Sequence, residues 1–366
     1  MQTHQHDFIT PLMTDLFLKV KIQQEQQLPF VLFCKPNSDK MVGLFQKNDH
    51  LYFLENFQET GFVFAPFDGV AIPYIPQKYS DVMVEKVAAA DFYFEKVASE
   101  STDEKAKAAF ENLVQKGIEA IESKEFQKVV LSRKEIISLD AFSLETVFKK
   151  LIQSYPTAFK YCFVHPKIGL WMGATPEQFL KINDKNIQTV ALAGTQTAAS
   201  SAQVIWHEKE KTEQQLVTDF ILEGLKGLVS ELTFSSPYSV QAGNIWHIKT
   251  DILAKAKSKK AIPEIITALH PTSAVCGLPK ASAKEFILEN ENYNREYYSG
   301  FLGELNIDLA TFRTQQSDLF VNLRCMKIVG ETAELFVGCG ITKDSIPADE
   351  FTETVNKSMT MKKCIG

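Results

Sequence analysis

Hydrophobic residues in the first hundred positions come in short runs that are separated by turn-forming residues. Four runs, at residues 29–34, 41–45, 51–54 and 61–64, have the length and the aromatic and β-branched content typical of strands. Residues 102–124 instead repeat apolar positions every three or four residues, which predicts an amphipathic helix. Strands and helices mix through the rest of the chain without a repeat or a long linker. The pattern therefore predicts one intertwined α+β unit.

A second helical pattern covers residues 203–230 and carries acidic residues on its apolar side. Its apolar stripe consists of Val217, Phe220, Ile221, Leu225 and Leu228. Steps of three and four residues extend this stripe backwards to Glu213, Glu210 and Trp206. A carboxylate on a buried face is costly unless a cation or hydrogen bonds compensate it, and Mg²⁺ is a cation that takes few protein carboxylates. The stripe indicates a cation site, unless it simply reaches the protein surface at Glu213.

The end of the chain repeats this arrangement on a helix that is predicted to begin near Pro347. Its apolar stripe consists of Phe351, Val355 and Met359. Glu350, Glu353 and Lys357 share another face, shortly after the glycine-containing strand at residues 334–341. Two carboxylates and an ammonium group there suit a divalent cation beside a substrate carboxylate. The alternative is an ordinary solvated helix face with salt bridges.

Two further residues are candidates for acid–base chemistry. Lys128 begins the short apolar strand that continues to residue 131, where a charge is poorly solvated, and a lysine in such a place suits a general base. Glu177 follows a strand that breaks at Gly173 and Pro176. The alternative interpretation makes Lys128 a gatekeeper on an edge strand and Glu177 an acid in the first turn of a helix.

Composition narrows the class of protein. The chain has 366 residues, a formal net charge of −6 and a pI near 5.8, and its basic residues do not cluster, so we expect no nucleic-acid partner. No early apolar run is long enough for a signal peptide or a membrane span, so we expect no membrane contact and a cytoplasmic location. The six cysteines are spaced singly, which is typical of reduced thiols.

From about residue 100 to residue 364 the chain resembles the chorismate-binding family of isochorismate, salicylate, anthranilate and aminodeoxychorismate synthases. Ten motifs occur in the order of that family: KVVLSR at 128–133, GATPE at 173–177, LAGT at 192–195, EKEKTEQQLV at 208–217, IWHI at 245–248, LHPTSAVCG at 269–277, YSGFLG at 298–303, LR at 323–324, GCGI at 338–341 and EFTETVNK at 350–357. The resemblance implies two large, mainly antiparallel β-sheets packed together with helices outside. It also implies that residues 101–366 are the chorismate-binding catalytic region and that residues 1–100 are a variable, β-rich part of the same unit.

The branch of the family follows from a few positions. Anthranilate synthases typically carry glutamine where this chain has Lys128, and water needs a base whereas ammonia is already nucleophilic. Ala193 stands where aminodeoxychorismate synthases often have a nucleophilic lysine, and Ala274 resembles the isochorismate synthases. We expect no fused glutaminase and a monomer or weak dimer. The resemblance implies an isochorismate synthase, in menaquinone or siderophore biosynthesis; a salicylate synthase and a non-catalytic chorismate-binding protein are the alternatives.

The resemblance also implies how the matching residues act. Lys128 would take a proton from the water that attacks ring carbon 2 of chorismate, and Glu177 would protonate the hydroxyl that leaves carbon 4. In the reactive complex Lys128 would therefore be neutral and Glu177 protonated. His247 matches a histidine near the reacting hydroxyl. The other substrate-binding matches are Arg324, Lys357 and Gly340 at the enolpyruvyl carboxylate, Gly194 and Thr195 as a wall for the ring, and Ala274 in the histidine–proline motif.

Magnesium is the cofactor that the resemblance implies. Mg²⁺ would bind the ring carboxylate of chorismate through Glu213 and Glu353, with Glu210 and Glu350 holding its waters. One departure from the family lies beside this site, because the acidic motif that is usually Glu-His reads Glu213-Gln214 here. Position 214 lies off the carboxylate face, so we expect the metal site to be retained with one outer contact changed.

Overall fold

The computed structural model describes residues 15–87, 103–197, 204–242 and 245–365. In the first half of the chain the elements are α1 (Asp15–Glu25), β1 (Phe30–Cys34), β2 (Lys40–Gln46), β3 (Tyr52–Phe53), β4 (Gly61–Ala65), β5 (Pro73–Pro76), β6 (Ser80–Lys86), α2 (Glu104–Glu122), β7 (Lys128–Ser138), α3 (Leu144–Ser154), β8 (Phe159–His165), β9 (Gly169–Thr175), β10 (Gln178–Asn183) and β11 (Asn186–Thr197).

The second half adds four helices and ten strands to the described part of the chain. They are α4 (Glu208–Leu225), β12 (Val229–Phe234), β13 (Tyr238–Ala242), β14 (Ile245–Ala256), α5 (Ala261–Leu269), β15 (Gly277–Leu278), α6 (Lys280–Asn290), β16 (Phe301–Leu305), β17 (Ile307–Asp308), β18 (Arg313–Thr314), β19 (Gln316–Val321), β20 (Cys325–Val329), β21 (Thr332–Ile341) and α7 (Pro347–Ile365).

Two large sheets organise these strands. The first sheet has the order β15-β7-β21-β20-β9-β8-β1-β2-β6, and the second has the order β12-β14-β11-β10-β19-β16-β4-β5-β3 with β13 also paired to β14. The pairings that define both sheets are antiparallel. Strands from residues 30–86 join both sheets, since β1, β2 and β6 lie in the first and β3, β4 and β5 in the second. The predicted α+β fold with two antiparallel sheets is confirmed.

An aromatic layer packs the two sheets face to face. Phe33 of the first sheet contacts Phe62 of the second with ring centroids 5.3 Å apart, and Phe159 stacks on Phe320 at 4.3 Å. These rings belong to one buried cluster that includes Trp171. Burial of large aromatic side chains is strongly favourable, so this layer holds the two sheets as one body.

The helices cover the outer faces of the sheets. Helices α4 and α5 pack on the second sheet, whereas α1, α3 and the end of α7 pack on the first. Helices α2, α6 and the start of α7 cover β7 and β21. The side chains of all six cysteines are buried, and none forms a disulfide.

Among the described helices, none combines the length and the apolar character that a membrane span requires.

The helix predicted at residues 203–230 is shorter in the structure. α4 begins at Glu208, so Trp206 precedes the helix and its place on the helical stripe was wrong. The helix ends at Leu225 because Gly227 adopts a positive φ of 78°, a conformation that glycine accepts readily, and the chain then enters β12. Glu210 and Glu213 remain within α4, on its first two turns.

Candidate active site

Lys128 lies at the start of β7 with only 3% of the residue exposed. Its Nζ donates a hydrogen bond to Oε1 of Glu213 at 2.6 Å, which joins β7 to the first half of α4. An ammonium group in such a buried place needs a charged partner, because desolvation without one is costly. The strand and the helix therefore meet at a buried ion pair.

The absence of a side chain at Gly340 leaves space for this ion pair. The residue lies on β21 opposite Val130 of β7. A Cβ atom at position 340 would lie 3.0 Å from Cε of Lys128, 3.4 Å from its Nζ and 3.7 Å from Oε1 of Glu213. The first of these distances is tighter than most real Cβ contacts, so a larger residue would displace the lysine.

Glu177 lies in the turn between β9 and β10, so the interpretation as an acid in the first turn of a helix was wrong. Its backbone carbonyl accepts from the amide of Val321 at 3.0 Å, which fixes the turn against β19. Burial raises the pKa of the Glu177 carboxyl to about 7, and the positive charges of Arg324, Lys128 and Lys357 oppose that shift. Three cationic side chains therefore lie near enough to affect this carboxyl.

Arg324 and Lys357 approach the site from two further elements. Arg324 lies just before β20 with a positive φ of 47°, and burial lowers the pKa of its guanidinium while Glu353 and Glu177 oppose that shift. Lys357 of α7 donates to the carbonyl of Gly338 at 2.9 Å and pairs with Glu353 one turn earlier. Two cations thus lie beside Glu177, which suits a substrate with carboxylates.

His247 and Gly194 meet on the second sheet. Nδ1 of His247 on β14 donates to the carbonyl of Gly194 on β11 at 2.9 Å. Gly194 has a φ of 71° and lies where the register between these strands shifts. Burial lowers the pKa of His247, the bond to Gly194 opposes this shift, and the nearby Arg324 and Lys357 lower the pKa further. A lowered pKa favours the neutral form of this imidazole near pH 7.

The four candidate metal ligands have different partners in the structure. Glu213 binds Lys128, Glu353 binds Lys357, and Glu210 accepts from the backbone amide of His207 at the start of α4. The backbone carbonyl of Glu350 accepts from Sγ of Cys339. Within the part of the chain that the structure describes, no three His, Cys, Asp or Glu side chains are gathered closely enough to hold a metal ion.

The donor set nevertheless fits magnesium. Mg²⁺ usually binds proteins through one or two carboxylates and keeps water or substrate oxygens in its other positions. Glu213 lies beside Gly340 of β21, and Glu353 lies on α7, which packs against β21. The exposed fractions of their side chains are 27% and 43%. Two carboxylates that water can reach match that preference.

Ala274 and Glu177 both line one small pocket. Thr272 and Ser273 from the same motif also line this pocket. Thr195 lies on β11 immediately after Gly194, and its side chain falls outside the described residues. Part of the histidine–proline motif and the candidate acid therefore line the same pocket.

Gln214 has a structural role that its position in the sequence did not reveal. The side chain is 1% exposed, and its Nε2 donates to Oγ1 of Thr218 at 2.9 Å and to Oγ1 of Thr250 at 2.7 Å. These bonds join α4 to β14, three residues after His247. Gln214 and Thr250 lie 36 residues apart, and nothing along the chain signalled that their side chains would meet.

A family model described as chorismate binding enzyme matches residues 76–366. The chain belongs to the chorismate-binding enzymes. This family was predicted from the ten motifs, and the prediction is confirmed. The curated isochorismate synthase EntC of Escherichia coli (strain K12) is 27% identical over 307 residues, which are 80% of this chain and 77% of that protein.

Solved structures agree with the fold. The isochorismate synthase MenF from Escherichia coli, described as menaquinone-specific, superposes with a TM-score of 0.76 at 20% identity, covering 93% of this chain and 89% of MenF. Anthranilate synthase component I from Streptococcus pneumoniae superposes with a TM-score of 0.64 at 16% identity, covering 91% of this chain and 92% of that one. Both likenesses support the two-sheet architecture.

Proposed function

We propose that this enzyme is an isochorismate synthase, which adds water at ring carbon 2 of chorismate and removes the hydroxyl from carbon 4 in the presence of Mg²⁺. The observation that carries the proposal is the buried Lys128 beside a Glu177 carboxyl whose pKa is about 7. The reaction needs a base for water and an acid for the leaving hydroxyl. The ammonia-using relatives that carry glutamine in place of this lysine lack such a base.

Glu177 serves as the general acid. A carboxyl with a pKa of about 7 is half protonated at neutral pH, whereas an ordinary glutamate with a pKa of 4.5 is almost fully ionised there. The protonated form has the proton that the leaving hydroxyl requires. The match between the pKa of a catalytic acid and the working pH is the condition for efficient proton transfer.

Lys128 serves as the base that takes a proton from water. The Lys128 amine lies close enough to Glu177 to affect the pKa of that carboxyl. It also donates a hydrogen bond to Glu213 at the start of β7. The amine acts in its neutral form: it takes the proton that water loses on attack, while Glu177 gives its proton to the departing hydroxyl. Water is a weak nucleophile, and this step distinguishes the proposed reaction from amination.

The remaining residues bind and orient the substrate. Arg324 and Lys357 hold the enolpyruvyl carboxylate beside the backbone of Gly340, and neutral His247 faces the reacting hydroxyl. Gly194, Thr195 and Ala274 form the wall against the ring. Fixing both ends of a small, rigid substrate places the reacting carbons between acid and base.

Glu213 and Glu353 would hold Mg²⁺, with Glu210 and Glu350 placed to hold its waters. The ion supplies positive charge for the ring carboxylate. Without it, these carboxylates and the substrate carboxylate would repel each other. Turnover should therefore disappear in excess EDTA and return when Mg²⁺ is added back, and full activity in EDTA would overturn the metal assignment.

The test is the identity of the product. Purified protein is incubated with chorismate and Mg²⁺, and the products are separated by chromatography, with the Glu177→Gln variant as the control. Isochorismate alone is the expected result. Salicylate with pyruvate would make the enzyme a salicylate synthase, and tight binding of chorismate without any product would make it a binding protein; either result overturns the proposal.

A further inference from the structure

β7 loses its neighbouring strand close to the proposed base. β15 has only two residues, and it pairs Gly277 with Val129 and Leu278 with Lys128. The amide of Val130 still donates to the carbonyl of Cys276 at 2.9 Å, after which the chain diverges toward the histidine–proline motif. Backbone groups on an uncovered strand edge inside a protein need other partners.

Two charged side chains continue the hydrogen bonding along this edge. Nη2 of Arg295 donates to the carbonyl of Val130 at 2.7 Å, and Oε1 of Glu291 accepts from the amide of Ser132 at 2.7 Å. Nη1 of Arg295 also donates to the carbonyl of Val275 at 3.0 Å. The pair therefore spans the gap between β7 and the strand segment that turns away from it.

The two side chains are bound to each other as well. Nε and Nη2 of Arg295 donate to the two carboxylate oxygens of Glu291, and the side chains are 2% and 1% exposed. Oγ of Ser132 donates to Glu291 at 2.8 Å and lies 2.7 Å from the hydroxyl of Tyr293. The guanidinium also stacks over Phe67, with its central carbon 4.5 Å from the ring centre. Only the planar, five-donor guanidinium can make all these bonds at once.

A buried ion pair is an expensive way to gain stability, since apolar residues of similar volume often serve as well or better. Glu291 and Arg295 instead hold two backbone segments in one relative position. One segment carries Lys128, two residues before Val130, and the other carries Ala274, next to Val275. None of these hydrogen bonds joins Glu291 or Arg295 to Glu177 or to a candidate metal ligand.

We propose that Glu291 and Arg295 are positioning residues that set the distance between Lys128 and the substrate wall at Ala274. The inference rests on the proposed function only in giving Lys128 its role as base. Loss of the pair lets the start of β7 shift, and misplacement of a catalytic group by about 1 Å can cost on the order of 10² in rate. The carboxylate-binding Arg324 and Lys357 lie on other elements and keep their positions.

The test is the Arg295→Lys variant, which keeps the charge but cannot reach both carbonyls and both carboxylate oxygens. We expect kcat for chorismate to fall on the order of 10-fold to 10²-fold, with KM changing far less. Hydrogen exchange at the Ser132 amide should accelerate, and this readout needs no activity. The matched control is Glu304→Gln on β16 of the second sheet, which breaks the buried pair with Lys35, the residue after β1 of the first sheet, and should lower stability without lowering kcat.

The outcomes separate the two proposals. Wild-type protein without turnover would overturn the proposed function, while exchange at Ser132 would still report on the pair. A folded Arg295→Lys variant with wild-type kcat, or with unchanged exchange at Ser132, would overturn the positioning role. If that variant does not fold, Glu291→Gln keeps the size of the side chain but removes the charge that accepts from Arg295 and from the Ser132 amide; it should lower kcat several-fold, and wild-type kcat there would count against the proposal.

Discussion

Two lysine–glutamate ion pairs lie in the site. One joins two distant elements of the fold, and the other lies within a single helix. Lys128 and Glu213 are 85 positions apart, on β7 and α4, and their side chains are 4% and 27% exposed. Lys357 and Glu353 lie one turn apart on α7, with side chains that are 24% and 43% exposed. The first pair exists only when two distant elements meet, whereas the second forms within any helix of this sequence. A buried, long-range pair suits chemistry, and a local, wetter pair suits binding.

The largest expected effect is on kcat, and it distinguishes Lys128 from Lys357. Lys128→Gln should lower kcat for isochorismate formation on the order of 10²-fold to 10⁴-fold, because the amide cannot accept a proton from water. Lys357→Gln should mainly raise KM for chorismate, because it removes a contact to a carboxylate. Product formation and chorismate binding are measured for both variants under identical Mg²⁺. A Lys128→Gln variant that retains wild-type hydration would remove this lysine from the mechanism.

The second-largest effect is expected for Glu177→Gln, which should lower kcat by a factor on the order of 10² and leave the affinity for chorismate nearly unchanged. Burial raises the pKa of this carboxyl from 4.5 to about 7, so its acid form is abundant below pH 7 and declines above it. The contribution of this acid to kcat/KM, which reports on the free enzyme, should therefore decline above about pH 7. Initial rates across that range test the assignment.

The variant supplies the control for this pH dependence. An amide does not titrate, so residual turnover of Glu177→Gln should lose the decline above pH 7. A decline that persists unchanged in the variant would assign it to another group. A collapse of affinity with wild-type kcat at saturation would make Glu177 a binding residue.

Local patterns predicted the elements better than the contacts between them. The C-terminal helix begins at Pro347 as predicted, because proline is favoured in a first turn and the apolar stripe repeats on one face. The second sheet's helix α4 was predicted too long at both ends, since periodicity continued past the point where Gly227 turns the chain. The candidate site residues were identified from the family motifs and from the order of those motifs along the chain.

The partners of those residues could not be read from the chain. The bond between Lys128 and Glu213 depends on how β7 packs against α4, and the missing side chain at Gly340 matters only once β21 lies beside them. No pattern along the chain singled out the pair of Glu291 and Arg295. Its meaning appears only where β15 stops and leaves the edge of β7 without a strand.

The smallest effect concerns stability and completes the comparison of the two ion pairs. Glu213→Gln should lower the free energy of unfolding by about 1–3 kcal/mol, because it leaves the buried Lys128 ammonium without a charged acceptor. Glu353→Gln should lower it by at most about 0.5 kcal/mol, since Glu353 is the more exposed carboxylate and Lys357 keeps its bond to the carbonyl of Gly338. Urea denaturation without metal measures both changes. Glu208→Gln, which removes the exposed partner of Lys211 on α4, is the control and should have no measurable effect. Equal losses for Glu213→Gln and Glu353→Gln would show that solvent reaches both pairs alike, and the contrast between a buried base and an exposed binding residue would not hold.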